Sequence, residues 1–169
     1  MSSAELTAAP SVPAVAGLQW LAEQTRSPAA AMAKWRDGRA VAVPVGTAFV
    51  VVQVVDDRLG RTVFHELRWQ APESLGPVIA NQALGAIEFL AAVRPSVWMG
   101  AGVRILNGSR KSIRDVKCPP LERLTSGRRW LHLPHAAPGA ELVLTNPLRL
   151  SGALGKARKQ LAQAGHMVT

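Results

Sequence analysis

The spacing of hydrophobic positions changes several times along this chain, and each change marks an element. Val15, Leu18, Leu21 and Ala22 recur at helical spacing, which predicts a first helix running to about Thr25. Ser27-Pro28 pairs a capping hydroxyl with a proline suited to the first helical position, so a short second helix should follow through Met32 to Trp35. Asp37-Gly38 then turns the chain into a strand over residues 40–45. A Gly46-Thr47 turn leads into the valine-rich run at 49–55, which is apolar on both faces and so predicts a central strand. After Asp56 and Asp57, which can cap a helix, Leu59, Val63, Phe64 and Leu67 form one stripe, with Arg58, Arg61, His65 and Arg68 facing water.

Residues 78–80 and 87–90 are expected to form a hairpin around 82–85. Short strands are predicted at 103–106, 112–118 and 129–133, with Asn107-Gly108 and Ser126-Gly127 as turns. Asn146-Pro147 starts a closing helix whose stripe is Leu150, Ala153, Leu154, Ala157 and Leu161. Arg149, Lys156, Arg158 and Lys159 oppose that stripe, and Gly165 should end the helix. These elements predict the α+β class: a mixed β-sheet with N-terminal helices, a helix after the central strand, and a basic amphipathic helix to close. Residues 1–11 are expected as a disordered lead-in, 12–165 as one domain and 166–169 as a tail.

Composition narrows the class. The 169 residues are 48% hydrophobic, enough for a buried core and against general disorder. A single cysteine, Cys118, excludes an internal disulfide framework and a cysteine zinc site. The start lacks a basic segment followed by an apolar one, so no targeting peptide is expected. The longest apolar run, at 40–55, is interrupted by Pro44, Gly46 and Gln53 and reads as strands, not as a membrane span. Arginine supplies fifteen of the twenty basic residues, which with the many alanines and prolines suggests a GC-rich genome. A cytoplasmic bacterial protein with no membrane contact is the expectation.

Charge divides the chain unevenly. Residues 1–103 hold eight Lys and Arg against eight Asp and Glu, whereas 104–169 hold twelve against three, giving the full net charge of +9. Eight cations, Arg104, Arg110, Lys111, Arg114, Lys117, Arg123, Arg128 and Arg129, fall within 26 residues against two acids. Residues two apart on a strand share a face, so Lys111 and Lys117 can line one side of a strand and Arg110 and Arg114 the other. A stripe of this kind neutralises phosphates with little regard to sequence and with strong salt dependence. A solvated arginine surface is the alternative origin of the same pattern.

Several passages, in order, carry a resemblance. A Gly46 turn precedes the valine-rich strand and a helix that begins with Leu59-Gly60, and a hairpin follows from Gly76-Pro77-Val78. Then come Ile113-Arg114-Asp115-Val116-Lys117-Cys118-Pro119-Pro120, Gly127-Arg128-Arg129-Trp130-Leu131, and the helix start at Leu144-Thr145-Asn146-Pro147. Together they resemble the bifunctional DNA primase/polymerase N-terminal (prim-pol) family over Leu18 to Leu161, in particular its short actinobacterial forms. The resemblance implies a polymerase-like cleft. It also implies an acid-x-acid pair on the central strand, where two carboxylates on one face would share divalent cations. Here that strand reads Val51-Val52-Gln53-Val54-Val55. The family's histidine would fall near Ile87-Glu88-Phe89, and its serine and second histidine after the proline pair, where this chain has Leu121-Glu122-Arg123. All of these groups are missing, so no catalytic residue, metal or cofactor is expected.

The remaining chemistry-bearing residues have plain structural readings. Asp56 and Asp57 point to opposite sides if on a strand and cannot jointly chelate one ion, so capping accounts for them. Gln53 must find hydrogen-bond partners within an apolar strand or contact a ligand. His65, His132, His135 and His166 lack a convergent ligand set and are expected on surface loops. Cys118 is expected as a buried thiol, and Trp98 or Trp130 can stack a base. Three roles follow for the chain. One is a non-catalytic prim-pol-like module binding DNA or another polyanion through Arg104, Arg110, Lys111, Arg114, Lys117, Arg123, Arg128, Arg129, Lys156, Arg158 and Lys159. The second is a protein-interaction or regulatory scaffold that uses an acidic partner or self-association. The third is a vestigial nucleotide cleft around Gln53, Lys117 and Arg123.

Overall fold

The computed structural model describes residues 11–94, 97, 99–109 and 114–166. The predicted lead-in, apart from Ser11, and the last three residues of the predicted tail lie outside that range. So do Arg110 and Lys111 and the base-stacking candidate Trp98.

Four helices, α1 (Val12–Glu23), α2 (Pro28–Arg36), α3 (Asp57–Gln70) and α4 (Pro147–His166), accompany seven strands. The strands are β1 (Val41–Pro44), β2 (Val50–Val54), β3 (Val78–Asn81), β4 (Ala86–Ala91), β5 (Val103–Leu106), β6 (Asp115–Cys118) and β7 (Arg128–His132). The α+β class is as the pattern predicts. The pairing is antiparallel instead of mixed: a five-stranded sheet runs in the order β5-β2-β4-β3-β7, and β1 pairs with β6 as a separate ribbon. The cause is topological. Strands β2 and β3, joined through α3, run the same way, but β4 lies between them and pairs antiparallel with both. The only parallel pairing among the described residues is a lone bridge between Ala91 and Thr145.

Alternation along the strands sorts the apolar side chains onto two faces. Val52, Val54, Val78, Ala80, Ile87 and Phe89 pack with Leu59, Val63, Phe64 and Leu67 of α3 and with Leu150, Ala153, Leu154 and Ala157 of α4. On the opposite face Val51, Ile79 and Leu90 pack with Leu18 and Leu21 of α1, Trp35 of α2, and Val41, Val43, Val116 and Cys118 of the ribbon. Being covered on both sides explains why β2 carries no polar face. The Trp35 indole nitrogen donates to the Cys118 carbonyl at 3.0 Å, tying α2 to β6.

Local signals set the helix starts. Ser11, Ser27 and Asp56 accept from the backbone three residues on, at Ala14, Ala30 and Leu59, each satisfying one of the orphan amides of a first turn. Asn146 Oδ1 accepts from the Leu148 and Arg149 amides. Two expected boundaries move: Ser11 belongs to the first helix as its cap, and α4 passes through Gly165 to His166. No helix among the described residues is long and apolar enough to cross a membrane.

Candidate functional site

The central strand carries one polar side chain among its valines, and the sheet register gives it neighbours. Gln53 of β2 lies opposite Glu88 of β4 on one side and Arg104 of β5 on the other. Partners across a ladder share a face, so this row lies on the side of Val51 and Leu90, beneath α1, α2 and the ribbon. At the same end of the sheet, Asn81 of β3 lies opposite Arg128 of β7. Gln53, Asn81 and Glu88 are 4%, 1% and 2% exposed, whereas Arg104 is open to solvent at the sheet edge.

Within this row Gln53 Nε2 donates to Glu88 Oε2 at 2.8 Å, and Arg128 Nε approaches Glu88 Oε1 at 4.0 Å, an ion pair too long for a hydrogen bond. The Leu84 amide donates to Asn81 Oδ1 at 3.3 Å. Gln53 Oε1, Asn81 Nδ2, Glu88 Oε1 and Arg128 Nε therefore have no hydrogen-bond partner among the described residues. Unpaired buried polar atoms are few in folded proteins; four on adjoining strands make this the most polar part of the core. Cys118 reaches the cluster from the ribbon. Burial pushes its thiol far above the usual range, the Glu88 charge adds to the shift, and Arg128 opposes it.

This chemistry suits binding and orientation more than bond making. A single carboxylate, already holding an amide and facing a guanidinium, is a poor substitute for two acids sharing cations. No group of three metal-binding side chains occurs among the described residues. A buried, protonated thiol is inert as a nucleophile. What the row offers is two acceptors and two donors held rigidly on strands, with an exposed guanidinium beside them.

The cations named from the sequence do not share one surface. Arg104 and the pair Arg128 and Arg129 sit on opposite edge strands, four strand spacings or about 19 Å apart. Arg128 is turned into the polar row, and Arg129, opposite Ala80, lies on the α3–α4 side. Arg114 precedes β6, where its carbonyl accepts from Val45. Lys117 is exposed on the outer face of the ribbon, opposite Ala42, because its neighbours Val116 and Cys118 take the inner positions. On α4, Lys156 pairs with Glu66, and Arg158 donates to the Met99 and Ala101 carbonyls at 2.6 and 2.8 Å. Lys159 is exposed.

Gln53, Lys117 and Arg123 are likewise not brought together. The first is buried, the second points away from the core, and the Arg123 guanidinium lies over Gly38. Glu88 and Asn81 belong to the row without having been singled out from the sequence, although an acid in the apolar run Ile87-Glu88-Phe89 is the kind of signal that Gln53 gives. His132 sits on a strand, not a loop. Its Nδ1 lies 2.9 Å from the Gly76 carbonyl, and its ring meets that of His135 edge-on at 5.3 Å. Trp130 donates to the Pro119 carbonyl at 2.8 Å.

No family model, curated protein or solved structure matches this chain.

Proposed function

We propose that this chain is a non-catalytic module on a prim-pol-like plan, which binds nucleic acid through exposed cations on the β5 edge and the β1–β6 ribbon. The carrying observation is Gln53. At the strand position where the resemblance calls for a metal-binding acid, a buried amide is hydrogen-bonded to Glu88. Exposed cations remain on the β5 edge, where Arg104 lies opposite Gln53, and on the ribbon. Arg104 is exposed on β5, three residues before Asn107, which packs against Gly46. Arg114 is exposed where its carbonyl meets Val45, next to the same glycine. The cations already engaged on α4 and in the row are left out of the contact.

Three phosphate contacts from Arg104, Arg114 and Lys117 give a log–log salt slope of about −3 on duplex DNA. Fluorescence anisotropy with labelled single- and double-stranded oligonucleotides, from about 25 to about 200 mM salt, measures it. Arg104→Glu with Arg114→Glu should abolish binding. The absence of salt-dependent binding by the native chain at the lowest salt overturns the proposal. Magnesium-dependent nucleotide incorporation by purified protein overturns its non-catalytic part.

A further inference from the structure

A second concave site lies away from the polar row. Helices α1 and α2 and the turn after Pro119-Pro120 border an open pocket of about 360 Å³, within the range of small-molecule pockets, which begins near about 300 Å³. Leu18, Met32, Trp35 and Leu121 give it apolar walls. The Trp35 indole N–H is taken up by the Cys118 carbonyl, so the ring contributes carbon surface. Two arginines, Arg36 and Arg123, stand at its mouth.

The Arg123 guanidinium is held in place, and both guanidiniums are free of partners among the described residues. Gly38 has φ +74°, a conformation in which glycine is favoured. A Cβ there would lie 2.7 Å from Arg123 Nη1, so the missing side chain is what lets the guanidinium settle against the backbone at the pocket mouth. Neither the Arg36 nor the Arg123 side chain forms an ion pair or hydrogen bond with a described residue. The α2 carbonyls of Ala33, Trp35 and Lys34 are taken up by the amides of Asp37, Gly38 and Arg39, so they do not compete for the two guanidiniums. Glu122 also lines the site and opposes an anion, leaving a net charge of +1 from two cations and one acid.

We propose that this pocket binds an amphipathic small-molecule anion, an apolar body carrying a carboxylate, with the body against Trp35, Met32 and Leu121 and the carboxylate on Arg36 and Arg123. Planar guanidiniums suit carboxylates because they can donate two parallel hydrogen bonds. The site is separate from the nucleic-acid contact proposed above and does not depend on it.

Octanoate, octanol and octylammonium each have eight carbons and differ in head group, so calorimetric titration of the native protein with each separates charge from hydrophobic burial. Octanoate should bind at least about tenfold more tightly than octanol, and octylammonium more weakly than either. Arg36→Gln with Arg123→Gln, both at exposed positions, should erase the octanoate preference without changing the melting temperature. Glu122→Gln should tighten octanoate binding. Equal affinity for the three probes overturns the proposal and marks a mere apolar depression, suited to a partner's side chain. An octanoate preference that survives the double substitution overturns it as well.

Discussion

Replacing Glu88 by alanine tests whether the buried row is held together by that one carboxylate. Glu88 is 2% exposed, accepts from Gln53 at 2.8 Å and faces Arg128 at 4.0 Å. Losing it strands the Gln53 amide, which costs about 1–3 kcal/mol. It also leaves the Arg128 guanidinium without its counter-charge. Breaking a fully buried pair costs about 3–5 kcal/mol. The Arg128 side chain is 19% exposed, so water offsets part of that and places this contribution below the range. The two effects overlap in the same atoms and sum to about 4 kcal/mol. For a chain of this length, that is a fall in melting temperature of roughly 10 °C. Urea unfolding followed by circular dichroism reads it directly. The triple variant Gln53→Leu, Glu88→Met, Arg128→Met removes the hydrogen-bonded amide and both members of the ion pair together, and should lie within about 1 kcal/mol of the native protein or above it. A cost below about 1 kcal/mol for Glu88→Ala would refute the reasoning, as would a triple variant less stable than the single one.

Other positions give sharper local tests. Gly60→Ala in α3 should destabilise by about 1–3 kcal/mol although alanine is the better helix former, because the new Cβ would lie 2.5 Å from Ile87 Cβ; thermal melts decide the sign. Arg158→Gln should loosen the 99–101 segment held by two carbonyl contacts, read as faster proteolysis between β4 and β5 with DNA affinity unchanged. His132 has its pKa lowered, first by desolvation and then by the positive charges of His135 and Arg68, against the raising effect of the Gly76 carbonyl. The unfolded chain therefore binds the proton more readily. Stability should fall as pH drops below about 6.5 toward the lower folded value. His132→Gln should flatten that part of a urea-midpoint profile from pH 7.5 to 5.

Local rules make most elements legible in the sequence. The Asp56 and Asn146 caps, the stripe at Leu59, Val63, Phe64 and Leu67, and the hairpin of β3 and β4 all depend on neighbours within a few residues. Strand order does not. Nothing local says that β4 pairs with β2 over a separation of 35 residues, as Gln53 and Glu88 do. The row was therefore visible only as a single odd glutamine. Arg36 escaped notice for the opposite reason, since it lies in the half of the sequence whose charges cancel, yet shares a pocket mouth with Arg123 from the other half.

The same topology bears on how the excess of positive charge can act. If all eleven cations named from the sequence met one polyanion, the salt dependence would approach a log–log slope of about −10. The sheet order places β5 and β7 on opposite edges, with strands of the neutral half between them. Meanwhile Arg128, Lys156 and Arg158 are held by Glu88, Glu66 and backbone carbonyls. A charge surplus that is contiguous in sequence is thus divided in space among two edges, the ribbon and a helix. It raises the potential around the whole molecule, which speeds encounters with polyanions, but only a few of its members can touch one duplex at once. A measured slope near −3 fits contact by Arg104, Arg114 and Lys117; a slope near −10 would require the cations to converge and would contradict this arrangement of strands.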